Sequence, residues 1–486
     1  MTGSISKSQV MAGLQCPKRL WREVKQSASQ PMSLAQQHIL DQGQEVGRYA
    51  RQQFPDGVLI GASTSEAIQA TQRAIASGAT CLFEAAFEFE GVFVRCDILQ
   101  HTSQGWELIE VKSSSRPKGE HVWDVAIQTY VLRGLGRSLP AVKLMHLNTQ
   151  TCCFPDLTDL FAIADVTTDV EAILPKIPTH LAQFKQHLSE PIEPTLAIGK
   201  HCDAPNPCPF KPDCWQSVPE PSIFTIPRLD WKKKQTLVAE NILAIADLPA
   251  DYPLTSLQRA YVDGVLTQQP TIDHAAIASS LAELNYPIHF FDFETHNPAI
   301  PRFAPLKPYA PFPFQYSCHI LHADGSLEHR DYLHGDRSDP RPPLIAALLT
   351  DITAGSVVAY HKSFEASILR RLSQDFPDQA TLLESISDRL WDLEDIFKYH
   401  YKHPGFRGST SIKYVLPVLV PHLSYQDLAV QRGDQAQAVW DTMLSCSDEG
   451  SKAERMRDLR DYCRLDTLAM VEIYRALQAL SVNSRQ

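Results

Sequence analysis

Two acidic patterns in this 486-residue chain have spacings that strands and helices turn into shared sites. In RCDILQHTSQGWELIEVKSS, Asp97 precedes Glu110-Val111-Lys112 across a turn marked by Gly105. Residues two apart on a strand face one side, so Glu110 and Lys112 point together, and a hairpin would set Asp97 on the neighbouring strand. Two carboxylates so placed can hold Mg²⁺ or Mn²⁺ through oxygen. The lysine can orient or deprotonate an attacking water, or stabilise charge that develops in a transition state. In HFFDFETH, Asp292 and Glu294 share a face of a strand that Phe290, Phe291 and Phe293 mark as buried. Carboxylates on such a strand are costly unless they meet a cation. VVAYHKSFEASIL then runs from a strand into a helix that begins near Glu365. Tyr462 and Asp466 lie four apart on a later helix and reach one spot. A solvated surface accounts for each acidic pattern taken singly; the ordered set of three in the second half points to metal chemistry.

The cysteines form a second signal. Cys81, Cys96, Cys152, Cys153, Cys318, Cys446 and Cys463 are scattered through apolar or mixed segments and read as buried thiols. Cys202, Cys208 and Cys214 cluster in CDAPNPCPFKPDCW, while Cys16 stands alone near the N-terminus. An odd total of 11, with no secretory signal at the start, argues against a disulfide framework. Four thiolates brought together would suit an iron–sulfur cluster or a zinc ion, and free thiols are the bland alternative. Pro205, Pro207, Pro209 and Pro212 stiffen the loop that carries three of them.

The expected fold class is α/β, with two mixed-sheet domains joined by a short helical connector. Residues 1–220 open with helical spacing over roughly 5–55 and continue with strand-like runs around CLFEAAFEFE, GVFVRCDIL and GWELIEVKSS. A helix around HVWDVAIQTYVLRGLG and a strand at AVKLMHLNT follow. Residues 221–285 read as the connector, with short helices broken by prolines. Residues 286–486 alternate strands and helices and end in a long helix. Within this region Asp392 is a further acidic neighbour, Lys413 is either a phosphate contact or solvated, and His319 reads as a satisfied strand histidine.

A net charge of −11 argues against a generic basic coat for nucleic acid but leaves room for a local basic groove. No run of 18 apolar residues predicts a membrane span. With the start lacking a secretory pattern, a cytoplasmic location is expected.

The first constellation resembles the PD-(D/E)XK nuclease superfamily, in its RecB/AddB-like branch. The resemblance rests on Asp97 and Glu110-Val111-Lys112, with Gln128 and Tyr130 following in DVAIQTYVL and Glu84 preceding in LFEAAF. It implies Mg²⁺ or Mn²⁺ held by Glu84, Asp97 and Glu110, with Lys112 and Gln128 at the same centre. That branch includes nucleases with one cysteine ahead of the core and three behind it, so the resemblance also implies a [4Fe–4S] cluster on Cys16, Cys202, Cys208 and Cys214. The second constellation resembles the DEDD exonucleases of the ribonuclease H-like fold, in the subtype with tyrosine. It implies a 3′→5′ exonuclease centre of two divalent cations, with Asp292, Glu294, Glu365 and Asp466 as ligands and Tyr462 positioning the attacking water. The runs DFET, PFQYS, GSTSIKYVLP and DYCRLDT are similar to the C-terminal domain of bacterial proteins that join these two modules. The expected function is a metal-dependent nuclease acting on DNA, single-stranded or bearing ends, with RNA left open and Trp123 or Phe314 available for base stacking. A nucleic-acid-binding scaffold with one or both centres inactive, or with zinc on the cysteines, is the competing reading.

Overall fold

The alternation in FEAAFEFEGVFV becomes a hairpin. Phe89 pairs with Val92 across a two-residue loop in which Glu90 (φ 49°) and Gly91 (φ 77°) are both left-handed, the tight turn that matches strand twist. This hairpin belongs to a computed structural model that describes residues 4–26 and 32–483. The chain divides into two units. One runs to Ser217 and includes Pro298–Ala310; the other comprises Val218–Asn297 and the chain from Pro311 onward. Both are mixed α/β.

In the first unit, β1 (Ile5–Ser6), β2 (Val58–Leu59), β3 (Cys81–Phe89), β4 (Val92–Thr102), β5 (Gly105–Lys112), β6 (Ala141–Leu147) and β7 (Phe161–Asp165) form one sheet. Its order is β2-β3-β4-β5-β6-β7, with β1 paired to the start of β4. β3, β4 and β5 form an antiparallel meander, whereas β5 and β6 are parallel. A parallel pair needs a crossover, here the helix Gly119–Gly134. Val125, Ala126, Ile127, Val131 and Leu132 of that helix are buried against the core formed with Leu82, Val94, Leu108 and Leu144. Gln128 is drawn in with them.

The second unit has β8 (Thr271–Ile272), β9 (Ile288–His296), β10 (Phe312–Leu321), β11 (Leu327–Leu333), β12 (Val357–Ala359), β13 (Leu390–Asp392) and β14 (Tyr401–Lys402). β8 pairs with β14, and the main sheet runs β11-β10-β9-β12-β13. In order of appearance, its strands stand 3-2-1-4-5. β10 is antiparallel to both neighbours, and β12 and β13 run parallel to β9. Every residue of β10 is buried, the polar Gln315, Ser317 and His319 included, because this central strand is covered on both faces.

The two faces of β9 pack differently. Phe291 and Phe293 join a core with Leu344, Ile368 and Leu383. Ile288 and Phe290 join one with Ala469, Met470 and Ile473 of the long helix Glu449–Asn483. Side-chain alternation therefore turns Asp292 and Glu294 toward the face that this helix covers. Gly355, before β12, has φ 93°, and a Cβ there would lie 2.0 Å from the Pro287 carbonyl oxygen. Only glycine lets the chain pass so close to the start of β9. The expected connector packs within this unit, where Ile223, Leu229, Leu237, Ile245 and Val262 form a small core. Among the described residues, no helix is long and apolar enough to cross a membrane.

Candidate active sites

The first site forms where β4, β5 and the crossover helix meet. Glu110 Oε1 accepts from Lys112 Nζ and Lys7 Nζ, both at 2.8 Å, and its Oε2 accepts from Gln128 at 2.7 Å. Asp97 Oδ2 accepts from the Val111 amide at 2.8 Å. The structure adds two residues that the motif reading missed. Lys7 bridges Glu110 and Asp124, the latter at 2.8 Å, and Asp124 also pairs with Lys112. Asp124 and Gln128 are one turn apart on the crossover helix, so their spacing in DVAIQ was the available signal. Lys7 carried none, because its partner lies 103 residues away.

Burial, followed by the Glu110 charge beside it, pushes the Asp97 carboxyl above the usual carboxylate range. Burial pushes Glu110 the same way, but Lys112 and Lys7 outweigh it and hold Glu110 well below that range. Lys112 is depressed by burial yet ends above its ordinary value because Glu110 and Asp124 face it. The carboxylates of this site thus have counter-charges from within the chain, and a divalent cation would compete with Lys7 for Glu110. Glu84 lies on β3 with φ 57°, a left-handed kink in mid-strand. Among the described residues it makes none of the hydrogen bonds that link this network. Tyr130 is directed away, donating to Glu90. Trp123 is half-buried and set edge-on to His180, with centroids 5.6 Å apart.

The second site lies on the covered face of β9. Asp292, Glu294 and the Cys463 sulfur present ligand atoms within 4.8 Å of one another. Asp466 accepts from Tyr425 at 2.6 Å, and the Tyr425 ring lies 6.4 Å from that of Tyr462, one helical turn before Asp466. Burial raises Asp292, and Asp466, Glu365 and Glu294 raise it further by repulsion. Burial and Asp466 raise Glu294, which the Lys413 ammonium partly offsets. Asp466 is pushed up to about 6 by burial, restrained by the Tyr425 hydrogen bond and Lys413. Glu365 reaches about 8, through burial and then the nearby Asp392. Its Oε2 is buried with no hydrogen-bond partner among the described residues.

Asp292 and Glu294 are therefore within electrostatic reach of each other and of both Glu365 and Asp466. Lys413 is the cation that acts on Glu294 and Asp466; it donates to the Gln431 carbonyl at 2.7 Å and lies over the Tyr425 ring. Such an acidic set, with Glu294 and Glu365 buried, Asp292 and Asp466 half-buried and one carboxylate oxygen unpartnered, fits oxygen-coordinated divalent cations. Asp392 serves differently: its Oδ1 accepts from the His361 and Glu394 amides at 2.9 and 3.1 Å. His319 bonds Thr467 at 2.8 Å, and burial lowers its pKa to about 3, so it is a satisfied strand histidine. Phe314 corrects the stacking expectation. It is fully buried and stacked on Trp440 with centroids 4.6 Å apart, which leaves no face for a base.

Cys16, Cys202, Cys208 and Cys214 line one pocket in the first unit. Gln15 ties its sides by donating to the His201 and Asn206 carbonyls at 2.7 and 2.8 Å. Burial raises the Cys16 thiol, opposed by the Arg19 and Lys18 amides that face its sulfur. Burial also raises Cys208, opposed by the Phe210 amide. Among the described residues, no three of these sulfurs are drawn within 4.8 Å of one another. Tetrahedral zinc with Zn–S near 2.3 Å would need sulfurs only about 3.8 Å apart.

Residues 289–411 match a family model described as a domain of unknown function (DUF2779), about a quarter of the chain. The match includes Asp292, Glu294, Glu365 and Asp392 but ends before Tyr462 and Asp466. The chain is 36% identical over 132 residues to "Uncharacterized protein MG366 homolog" of Mycoplasma pneumoniae, covering 24% of this chain and 20% of that one. It is 31% identical over 138 residues to "Uncharacterized protein MG366" of Mycoplasma genitalium, covering 26% and 21%. Against "Uncharacterized protein UU173" of Ureaplasma parvum, identity is 28% over 225 residues, covering 41% and 32%. The matches thus span between a fifth and a third of these relatives. Among solved structures, LHK-Exo in complex with dAMP aligns with a TM-score of 0.24 and 14% identity, covering 38% of this chain and 90% of that one.

Proposed function

We propose that this protein is a metal-dependent nuclease that hydrolyses phosphodiester bonds in DNA, single-stranded or bearing ends, with its exonuclease centre in the second unit. The observation that carries this reading is the acidic cluster of Asp292, Glu294, Glu365 and Asp466, buried or half-buried, with the exposed Lys413 as the cation that acts on it. The 3-2-1-4-5 sheet supports a ribonuclease H-like assignment, and the β3-β4-β5 meander with its crossover helix supports a PD-(D/E)XK one. Divalent cations in the second centre would supply charge neutralisation for an in-line displacement. Asp292, Glu294, Glu365 and Asp466 would hold them. Tyr462, one helical turn from Asp466, would orient the incoming water. Glu365 is a longer ligand than aspartate, so Mn²⁺ should serve at least as well as Mg²⁺, which demands near-ideal octahedral geometry. In the first centre Asp97 and Glu110 are the candidate ligands, Lys112 would face the reacting phosphate, and Gln128 holds Glu110 in place.

The test is degradation of end-labelled DNA and RNA with Mn²⁺ or Mg²⁺ by the parent, by Asp466→Asn, by Asp97→Asn and by the double variant. The parent should shorten DNA from one end, and Asp466→Asn should remove that activity. Equal degradation by the parent and the double variant would overturn the reading.

The four cysteines are proposed to hold a [4Fe–4S] cluster. What supports the reading is that all four cysteines line one pocket, and that the amides facing Cys16 and Cys208 are of the kind that tune iron–sulfur centres. Protein purified without oxygen should be brown and hold about four irons, and Cys208→Ser should bleach it. Colourless protein holding one equivalent of zinc would refute the assignment.

A further inference from the structure

The second unit contains a cavity of ≈ 560 Å³ that belongs to neither carboxylate cluster. That volume lies within the roughly 300–1,000 Å³ common for ligand clefts. Arg228, Lys398 and Lys402 line it, with Glu394 the one lining carboxylate; Lys398 is paired with Asp392, Glu394 and Asp395, which leaves Arg228 and Lys402 as the cations without a carboxylate partner among the described residues. Glu394 is already satisfied: it accepts from Thr410 at 2.6 Å, from Lys398 at 2.9 Å and from His361. Lys402 donates to the Phe397 carbonyl at 2.6 Å and to that of Lys398, both neutral acceptors. Arg228 is exposed, has φ 52°, and makes no hydrogen bond or ion pair among the described residues. Arg228 and Lys402 line the same cavity, and the Lys402 pKa is lowered by burial and then by the Arg228 charge.

Like charges held together in a cleft favour an anion between them. Two tyrosines line the same cavity. Tyr261 is half-buried and hydrogen-bonded to Thr225 at 2.9 Å, whereas Tyr399 is 70% exposed. An exposed tyrosine beside unpaired cations suits a ligand that carries both a planar ring and a phosphate. A chain of contacts links the cavity to the second centre. Glu394 binds His361, whose amide binds Asp392, the carboxylate that acts on Glu365.

We infer that this cavity seats a nucleotide unit of a single-stranded nucleic acid, its phosphate between Arg228 and Lys402 and its base against Tyr399. The site deepens the nuclease reading, since it would hold a strand beside the second centre, and it rests on that reading only for the strand's destination.

The test uses full-length protein carrying Asp292→Asn and Asp97→Asn, so that neither centre consumes the substrate, and fluorescent ten-nucleotide DNA and RNA strands. Arg228→Ala and Tyr399→Ala should each weaken binding about tenfold or more, and Arg228→Ala should lower the salt slope by about 0.7, the value for one single-strand phosphate contact. Arg228→Lys should restore most of the affinity. Comparing the DNA and RNA strands shows which sugar the site accepts, and loss on either supports the site. Failure of the parent to bind both strands would overturn the inference, as would unchanged binding and salt slope in Arg228→Ala and Tyr399→Ala. If binding depends on Arg228 and Tyr399 while no metal supports cleavage by the wild-type chain, the cavity stands and the nuclease reading falls.

Discussion

Asp292→Asn should make the metal-free protein melt higher than the parent while cutting the exonuclease activity of its second centre at least about 100-fold. The activity estimate is a lower bound, because even residues that merely orient metal ligands cost 10–100-fold when replaced. The stability gain follows from repulsion. Asp292 is raised by burial and by Asp466, Glu365 and Glu294, so ionising it in the folded state is unfavourable. Asparagine keeps the shape and removes the charge. The gain should be on the order of 1 kcal/mol or more, the scale of one pKa unit. The pH dependence has a definite sign. Glu365 titrates near 8 and Asp466 near 6 in the folded protein, above their usual values near 4. Between about pH 4 and 8 the folded state therefore binds more protons than the unfolded chain. These groups contribute their full stability below about pH 4 and lose it as pH rises toward 8. A divalent cation binds the ionised carboxylates, so its stabilisation should grow over the same range. Melting curves with EDTA or with Mn²⁺, from about pH 5 to 8.5, measure both slopes. If the Asn variant melts below the parent without metal at pH 8, repulsion is not what governs this cluster.

What the sequence made legible was local spacing. D-x-E on one strand and Y-x-x-x-D on one helix are statements about a single element, and each puts its residues on one face whatever the tertiary fold. The burial of β9 was equally readable, because Phe290, Phe291 and Phe293 leave no polar side. Neighbours brought by topology were less visible. Lys7 precedes the strands it neutralises by about 100 positions, and nothing in KSQVMAGLQ marks it for Glu110. Tyr425, which donates to Asp466, sits in a loop segment with no motif around it. Phe314 misled for the opposite reason. An aromatic in a proline-rich stretch reads as exposed, but Trp440, more than a hundred residues later, stacks on it. Arg228 and Lys402 are brought to one cavity by the packing of a segment that read as a mere connector.

Glu110→Ala should be the most destabilising single change in the first unit, by about 3–5 kcal/mol, and should abolish whatever cleavage the first centre performs. Glu110 is the hub of the network: Lys7, Lys112 and Gln128 all donate to it, and its side chain is 3% exposed. Removing it leaves two ammonium groups facing only Asp124 and the elevated Asp97, and breaking a buried ion pair from one side carries that cost. Lys7→Met should cost less, because Glu110 keeps Lys112 and the Lys7 side chain is already 21% exposed. The two variants also separate in acid. Glu110 titrates below its ordinary range, so its contribution is present above about pH 4 and is lost as pH falls through the folded value. Asp97 titrates above its range and works in the opposite sense. Parent protein should therefore lose stability more steeply than Glu110→Ala below about pH 4, and the two denaturation curves should converge there. Lys7→Met has a further consequence that distinguishes a metal centre from an ion-paired structural core. With the competing ammonium gone, a divalent cation meets less opposition at Glu110, so the Mn²⁺ concentration for half-maximal activity of an Asp466→Asn background should fall. An unchanged or higher Mn²⁺ requirement, together with a Glu110→Ala loss below about 1 kcal/mol, would mean that this lysine–carboxylate network neither holds the unit together nor guards a metal site.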